Sequence, residues 1–466
     1  MEYFWVILAY LVMLLIVGAY RSRQVKSGED FAVAGRKLSA PVLVGTLLAT
    51  WIGSGSIIAS AGLAYNEGFP SLWFDAGVWV ALIILYFIAG RARKLAQYTV
   101  PDLLEMRYNK YARLLGAIVT IIAYTAIVSY QFRAGGMVLE LVTGIDFETG
   151  VIITAAFVIG YTVLAGLISV VYTDVVNGII MTIGLALTLP FLIEAGDGVT
   201  NIIDRLPETH FDLFGQLSAR KAISLALPTM LLLLGESGMY QRFFSAKNAR
   251  TARRAVVGWI AVTIVVEVLI VVIAIVGRSI FTDIDPEMVI LTSVKEALAL
   301  AIGCVAQAAI VAVIVSTADS FLLVPATNLI RDIFQRFIRP DITERQFVNY
   351  SRIAVVLLGL FAYAQLTLFD SVLEMALYAY TMYGVGITPA VMAAFFWKRA
   401  TAAGGVAGIG LGMAMTLTWE MGGLAETTGI ETVYPALGAS LLGIVVVSLL
   451  TEKPKPEIVE PFFQQN

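Results

Sequence analysis

The sequence contains very little cysteine, histidine or charge. Cys304 and His210 are the single cysteine and histidine in 466 residues, which excludes an internal disulfide, a thiolate metal cluster and a His-based zinc site. The formal charge of −3 provides no basic excess to neutralise a nucleic-acid backbone. The sequence has no G-x-x-x-x-G-K-[S/T] segment, so ATP hydrolysis at a Walker-type site is also excluded. Nothing in these residues supports catalysis.

Charge is scarce because the chain is strongly apolar. Hydrophobic residues make up 59% and charged residues 14%, with a mean hydropathy of +0.85, whereas soluble domains are about 45–50% apolar and about 25% charged. A bilayer core of about 30 Å needs roughly 20 apolar residues per helix. The sequence predicts an all-α integral membrane protein with about thirteen transmembrane helices, near 3–20, 40–64, 70–90, 114–142, 150–166, 170–194, 223–241, 255–277, 297–326, 351–367, 371–397, 403–420 and 434–450.

The distribution of Lys and Arg predicts the orientation of these helices. Most of the 31 basic residues fall in the tail and in alternate loops, and basic loops face the cytoplasm. We therefore expect a multi-pass protein of the cell membrane with an extracellular or periplasmic N-terminus and a cytoplasmic C-terminus. The first helix is expected to be a retained span, because it begins with Glu2 rather than with a basic segment. The predicted basic loops are 21–37, 91–113, 242–254, 331–352 and 398–399, which leaves Arg133 as the only base inside a predicted span.

Two predicted helices are interrupted at corresponding positions. If the first span is set aside, the next ten are core helices one to ten, and core helix one contains Gly53-Ser54-Gly55-Ser56 while core helix six contains Gly235-Glu236-Ser237-Gly238. Glycines also let helices pack closely, but a glutamate in mid-membrane is costly unless it faces water or a partner. Matching interruptions in two halves indicate a transporter binding site, and an odd number of helices per half makes the repeats inverted. The expected units are 1–39 (leading helix and cytoplasmic loop), 40–196 (first repeat), 197–222 (extracellular loop), 223–397 (second repeat) and 398–466 (two trailing helices and tail).

Core helix eight carries several oxygen donors in an apolar stretch. Ser316, Thr317, Asp319 and Ser320 provide three hydroxyls and a carboxylate within about two helical turns, and Ser316 and Ser320 share a face. Hydroxyls alone are often bonded to backbone carbonyls of their own helix. With a carboxylate beside them, these hard oxygen donors are suited to a small alkali cation.

Three motifs then resemble one family. Ser316-Thr317-Ala318-Asp319-Ser320, Val171-Tyr172-Thr173-Asp174 and Tyr240-Gln241-Arg242 resemble the sodium:solute symporter family, which includes sodium-coupled proline, sugar, sialic acid and choline transporters. The resemblance covers essentially the whole chain and implies a LeuT-like fold of five plus five inverted helices with discontinuous first and sixth core helices. It also implies a sodium site made of carbonyls of Ala49, Ile52 and Val313 and hydroxyls of Ser316 and Thr317, and in some members a second sodium near Asp174, Ser316, Asp319 and Ser320.

The same resemblance implies where the solute binds. It places around the two breaks the residues Trp51, Ser54, Ser56, Asp75, Ile127, Gln131 and Glu236. Trp51 looks like the choline-transporter branch, where an aromatic ring can meet an ammonium group. Asp75 and Glu236 near one cavity need a cation, a shared proton or an arginine. Arg133 is a candidate for that ion pair or for a contact with a substrate carboxylate.

These observations predict a sodium-coupled secondary active symporter. It would import a small polar organic solute, an amino acid or an organic cation, by alternating access, with Na⁺ as the coupling ion. The alternatives are a proton-coupled symporter of the same fold, with Asp174 or Asp319 titrating, and sodium-coupled transport of a sugar or a carboxylate. A channel would need a continuous polar stripe or a carbonyl filter, which the isolated breaks do not provide. The expected partners are the solute and the lipid bilayer, with no nucleic acid and no obligatory protein partner.

Overall fold

The structure is a computed structural model that describes residues 2–22, 33–95, 97–164 and 167–463. The described residues form helices joined by short turns and loops. In chain order the α-helices are α1 (Glu2–Ser22), α2 (Ala40–Trp51), α3 (Ala61–Glu67), α4 (Leu72–Leu95), α5 (Val100–Arg107), α6 (Lys110–Thr143), α7 (Phe147–Leu164), α8 (Leu167–Ala195), α9 (Val199–Arg205), α10 (Ala219–Gly235), α11 (Ser237–Ser245), α12 (Ala249–Ile280), α13 (Val289–Ala297), α14 (Leu300–Asn328), α15 (Glu344–Gln365), α16 (Val372–Phe396), α17 (Ala402–Met421), α18 (Leu424–Thr428), α19 (Val433–Leu450) and α20 (Pro456–Phe463).

The number of membrane spans is close to the prediction. Among the described residues, eleven helices are long and apolar enough to cross a bilayer, and the bent pair formed by α2 and the helical segment after it raises the number to twelve. The remaining predicted span, 3–20, lies on the apolar helix α1. The all-helical membrane architecture is therefore confirmed, whereas the exact count of thirteen is not.

The first predicted helix break is present where glycine and serine alternate. Helix α2 ends at Trp51, and Ile52 adopts an extended conformation with φ −75° and ψ 101°. The chain resumes at Gly55 in a π-helical segment, Gly55–Ser60, which leads into α3. The two halves are bent by 58°. Because the helical ladder stops at the break, the last carbonyls of α2 are free to bind other groups.

The second break is sharper and centres on Glu236. Helix α10 ends at Gly235, Glu236 is extended with φ −60° and ψ 116°, and α11 begins at Ser237. Helix α11 continues to Ser245, so one prediction is wrong: Arg242 does not belong to the cytoplasmic loop 242–254. It lies inside the span formed by residues 219–245.

The centre of the bundle is made by helices that are buried on all sides. Residues 306–328 of α14 and residues 378–391 of α16 are all buried, including the polar side chains of Asp319 and Thr388. Helix α19 lies at the periphery and exposes Leu442 and Leu449. The two breaks lie beside the buried central helices, so residues at the breaks are shielded from lipid.

Candidate functional site

The end of α2 contacts α14 at the predicted sodium site. The Thr317 hydroxyl donates to the carbonyl oxygen of Ala49 at 3.3 Å, and Ala49, Ile52 and Val313 are all fully buried. A Cβ added to Gly53 would lie 3.0 Å from Thr317 Oγ1, so the break itself packs against this hydroxyl. The structure thus brings together a helix end with free carbonyls and a helix with hydroxyls. Such oxygen atoms suit an alkali cation.

The Ser316 hydroxyl bonds to a carboxylate of α8 that α2 also contacts. This hydroxyl donates to Asp174 Oδ1, and the Thr46 hydroxyl of α2 donates to Asp174 Oδ2 at 2.7 Å. A serine oxygen that donates its proton to a carboxylate keeps its lone pairs for a cation. The carboxylate of Asp174 therefore orients Ser316, one helical position before Thr317.

Arg242 is the basic residue at the centre of this network. Its guanidinium is fully buried and lies 3.3 Å from Asp174 Oδ2, and it donates to the hydroxyls of Ser320 at 3.2 Å and Thr46 at 3.0 Å. The prediction that Arg133 is the only base inside the membrane is therefore wrong. Arg242 connects α11 to α2, α8 and α14 through charge-assisted hydrogen bonds, which are stronger than neutral ones.

Arg242 bonds to two of the four residues that were predicted to form a second sodium site. Asp174 and Ser320 both bond to Arg242, and Ser316 bonds to Asp174. Asp319 is fully buried, its carboxylate lies beside the Thr162 hydroxyl, and none of the ion pairs of the described residues includes it. A sodium ion at this second site would share Asp174 with the guanidinium.

Gln131 holds the first break from the side of α6. Its Oε1 accepts from the backbone N of Ser54 at 3.3 Å and from the Ser54 hydroxyl at 2.9 Å. Its amide nitrogen would lie 2.9 Å from a Cβ added to Gly53 and has no partner in the described part of the chain. Ser56 is also buried, two residues further along the break. The predicted solute residues Ser54 and Gln131 are therefore in contact.

Trp51 and Asp75 lie near a third residue, Glu267, to which the sequence analysis assigned no role. The indole nitrogen of Trp51 donates to Glu267 Oε1 at 2.9 Å, and that of Trp79 donates to Glu267 Oε2 at 2.7 Å. Asp75 accepts from the Ser60 hydroxyl at 3.0 Å. Both carboxylates are buried and close enough to repel each other. The acidic partner of Asp75 in this structure is Glu267.

Glu236 has a local role at the second break. Its carboxylate accepts from the backbone N of Gly238 at 2.9 Å and from the backbone N of Met239, which makes it the N-cap of α11. The Tyr124 hydroxyl also donates to it. These hydrogen bonds offset much of the free-energy cost of burying the carboxylate. They also stabilise the break, because they satisfy the first N–H groups of α11.

Arg133 lies apart from these groups, in an outer cavity of about 530 Å³ that Glu287 and Asp370 also line. Its guanidinium donates to the carbonyl of Asp370 and stands over the Phe147 ring at 5.6 Å. Glu287 lines the same cavity, and its carboxylate accepts from the backbone N of Val372 at 3.2 Å. Burial raises the pKa of the Glu287 carboxyl, although this hydrogen bond opposes the shift.

Sequence reasoning used Arg242 only as part of the Tyr240-Gln241-Arg242 motif and counted it with the basic loop 242–254. It assigned no role to Glu267. Glu267 is a single charge in an apolar helix, which is a recognised signal of function. Its partners could not be found from sequence, because Trp51 and Trp79 are 216 and 188 residues away.

The fold resembles that of several solved structures, transporters among them. A Na⁺-coupled sialic acid symporter in a substrate-bound outward-open state gives a TM-score of 0.81 at 17% identity, covering 98% of this chain and 99% of that one. Mhp1, a nucleobase-cation-symport-1 family transporter in a closed conformation, gives 0.63 at 13% identity, covering 93% and 96%. MhsT in complex with L-phenylalanine gives 0.56 at 14% identity, covering 88% and 97%. These similarities confirm the LeuT-like fold.

Sequence comparison identifies the family. The chain is 28% identical over 472 residues to the high-affinity proline transporter PutP of Bacillus subtilis (strain 168), covering 96% of this chain and 98% of that protein. It is 27% identical over 463 residues to the osmoregulated proline transporter OpuE of the same organism, covering 96% and 94%. The profile of the sodium:solute symporter family matches residues 31–412. As the motifs predicted, the chain belongs to the sodium:solute symporter family.

Proposed function

We propose that this protein imports a small polar organic solute by alternating access, with sodium bound at the contact between α2 and α14. Its family supports sodium-coupled solute symport in a membrane. The observation that carries the site is the hydrogen bond from the Thr317 hydroxyl to the Ala49 carbonyl across the helix break. Sodium would bind to the carbonyls of Ala49, Ile52 and Val313 and the hydroxyls of Ser316 and Thr317.

The proposed cycle follows from the position of this contact. The C-terminal end of α2 carries a partial negative charge, so sodium stabilises the contact of α2 with α14 and favours the outward-open state. Solute binding then permits closure, and separation of α2 from α14 on the cytoplasmic side releases both. Moving one charge down a potential of 100 mV provides about 2.3 kcal/mol, which drives accumulation without ATP.

A second sodium ion near Asp174, Ser316, Asp319 and Ser320 stays a prediction. Arg242 already supplies a positive charge to Asp174, which favours one sodium ion per cycle. The buried carboxylate of Asp319, which has no ion-pair partner among the described residues, is the feature that favours a second ion. The Hill coefficient for sodium in uptake distinguishes one sodium ion per cycle from two, since one ion gives a coefficient near one.

The solute remains open within this proposal. Two relatives are named as proline transporters, and the residues around the first break, Trp51, Ser54, Ser56, Asp75 and Gln131, provide aromatic, hydroxyl, amide and acidic groups. An amino acid or an organic cation fits these groups. A sugar acid or monocarboxylate would need a base, and Arg133 is bonded to Asp370 in the outer cavity.

The test is uptake by purified protein in proteoliposomes against labelled amino acids, betaines, sugars and carboxylates, with sodium or potassium outside. We expect uptake of one solute class that requires an inward sodium gradient and stops in potassium. Uptake that follows a pH gradient without sodium would overturn the sodium site and support proton coupling instead. The proposed orientation is tested in the Cys304→Ser protein by introducing one cysteine at either terminus and measuring its reaction with a thiol reagent. The C-terminal cysteine should react only when the reagent is applied from the cytoplasmic side.

A further inference from the structure

We infer that Glu267 is a solute-binding residue and that, together with Asp75, it recognises a positively charged ammonium group on the solute. This inference rests on the proposed function and specifies the substrate class of the same site. Neither the motifs nor the family comparison assigns a role to Glu267. Its role follows from its contacts, its burial and the absence of an ion-pair partner among the described residues.

Glu267 is held rigidly by two tryptophans. Each carboxylate oxygen accepts one indole N–H, from Trp51 on one side and Trp79 on the other, and the side chain is 1% exposed. Indole is neutral, so these bonds orient the carboxylate without compensating its charge. Trp51 begins the first break, so Glu267 is tied directly to the part of the chain that moves in the proposed cycle.

Asp75 places a second carboxyl group near Glu267, because it lies one helical turn before Trp79, whose indole donates to Glu267. Asp75 is 1% exposed and receives the Ser60 hydroxyl, which is again a neutral donor. None of the ion pairs of the described residues includes Asp75 or Glu267. Arg242 bonds to Asp174, and Arg133 bonds to Asp370. Two buried like charges require a cation or a shared proton.

Two buried polar atoms without partners lie on the helix of Glu267 and beside the first break. Thr263 is one helical turn before Glu267 and so shares its face of α12; it is fully buried, and its hydroxyl has no partner in the described residues. The amide nitrogen of Gln131, fully buried against Gly53 in the break, is also unpartnered. Buried polar groups are normally satisfied. The two unpartnered atoms therefore indicate a polar ligand, and the Gln131 amide is available to donate to an oxygen atom of that ligand.

Aromatic rings favour an organic cation over a metal ion. Trp51 lies 6.4 Å from Tyr380, centroid to centroid, and Tyr380 lies 6.2 Å from Phe74. The Tyr380 hydroxyl is within electrostatic reach of both Asp75 and Glu267. Aromatic faces attract ammonium groups, whereas sodium prefers a shell of several oxygen atoms. An ammonium group satisfies the carboxylates and also packs against the rings.

The experiment uses the purified full-length protein and its tryptophan fluorescence. The protein is titrated, in saturating sodium, with proline, choline and putrescine, and with analogues that lack the nitrogen, cyclopentanecarboxylate, 3,3-dimethylbutanol and butanol. We expect at least one ammonium compound to bind and its analogue to bind at least about tenfold more weakly. Glu267→Gln should weaken that binding by about 10- to 150-fold, whereas Glu267→Asp, which keeps the charge, should weaken it less. Glu374→Gln is the matched control, because Glu374 is an exposed glutamate on α16.

Sodium titration without solute separates this inference from the proposed function. Glu267→Gln should leave the sodium concentration for half-maximal response unchanged, which also shows that the variant is folded. A higher sodium requirement in Glu267→Gln would mean that the acidic pair binds sodium, and this would overturn the inference. So would equal binding of wild type and Glu267→Gln, failure of all three ammonium compounds to bind, or equal binding of an analogue without nitrogen. In each of these cases a normal sodium response of the wild type would leave the proposed symport intact.

Discussion

Removal of the Thr317 hydroxyl tests the sodium site most directly. Thr317→Ala deletes the group that donates to the Ala49 carbonyl at 3.3 Å and that we assign to sodium. A hydrogen bond to a charged group contributes about 1.5–3 kcal/mol, and about 1.4 kcal/mol corresponds to a factor of ten. We therefore expect the sodium concentration for half-maximal uptake to rise by about 10- to 150-fold.

Two further variants give this prediction its controls. Thr317→Ser keeps the oxygen and should restore sodium affinity. Thr327→Ala removes a buried hydroxyl from the same helix, but that hydroxyl donates to the Leu323 carbonyl of its own helix and should be irrelevant to sodium. The assay is initial uptake in proteoliposomes over a range of sodium concentrations at saturating solute, with reconstituted protein quantified by immunoblot. Equal shifts in Thr317→Ala and Thr327→Ala, or no rescue by serine, would refute the reasoning, as would unchanged sodium dependence in both Thr317→Ala and Ser316→Ala.

Three other predictions follow from described contacts. Gly53→Ala should abolish most uptake, because its Cβ would lie 2.8 Å from Thr317 Cγ2, whereas Gly160→Ala, with nothing within 4 Å, should leave uptake unchanged; equal uptake rates would contradict this. Asp174→Asn leaves Arg242 without its charge partner, at a cost of about 3–5 kcal/mol, and should lower the melting temperature. The double variant Asp174→Asn with Arg242→Gln should recover part of the lost stability. If it does not, the two residues are not coupled. Burial raises the pKa of the Glu105 carboxyl, but hydrogen bonds from arginines outweigh this and lower it, so its stabilising contribution is present above the ordinary pKa of about 4.3 and is lost as pH falls through the lowered value. Melting curves between pH 6 and pH 3 (roughly the range that brackets this carboxyl) should show less acid sensitivity in Glu105→Gln, and equal sensitivity would contradict the assignment.

Features encoded by consecutive residues were predictable from the sequence. The breaks at Gly53 and Glu236 were found because glycine, serine and glutamate weaken a helix in the place where they occur. The hydroxyls of Ser316 and Thr317 were recognised as a group because they are adjacent. These signals are local, so they give the position of a break or a donor but not what it contacts.

Features that depend on distant contacts were not predictable. Arg242 sits near other basic residues in sequence, and only the folded chain shows that it reaches Asp174, 68 residues away. Glu236 was expected to share a cavity with Asp75, yet its own helix N-terminus supplies its donors. The acidic partner of Asp75 is Glu267, which an apolar helix brings to it. Charge pairing of this kind is decided by helix packing.

The break at Gly53 has a consequence for energy conversion. A Cβ added to Gly53 would meet both Thr317, a proposed sodium ligand, and Gln131, a proposed solute residue. A single stretch of backbone thus forms a wall common to both binding sites. If each ligand orders that wall, the ligand that binds second need not order it again, and thermodynamic linkage requires that each raises the affinity for the other by the same factor. A carrier built in this way resists futile cycles, because a site holding only one of the two ligands is incompletely ordered and closes less readily.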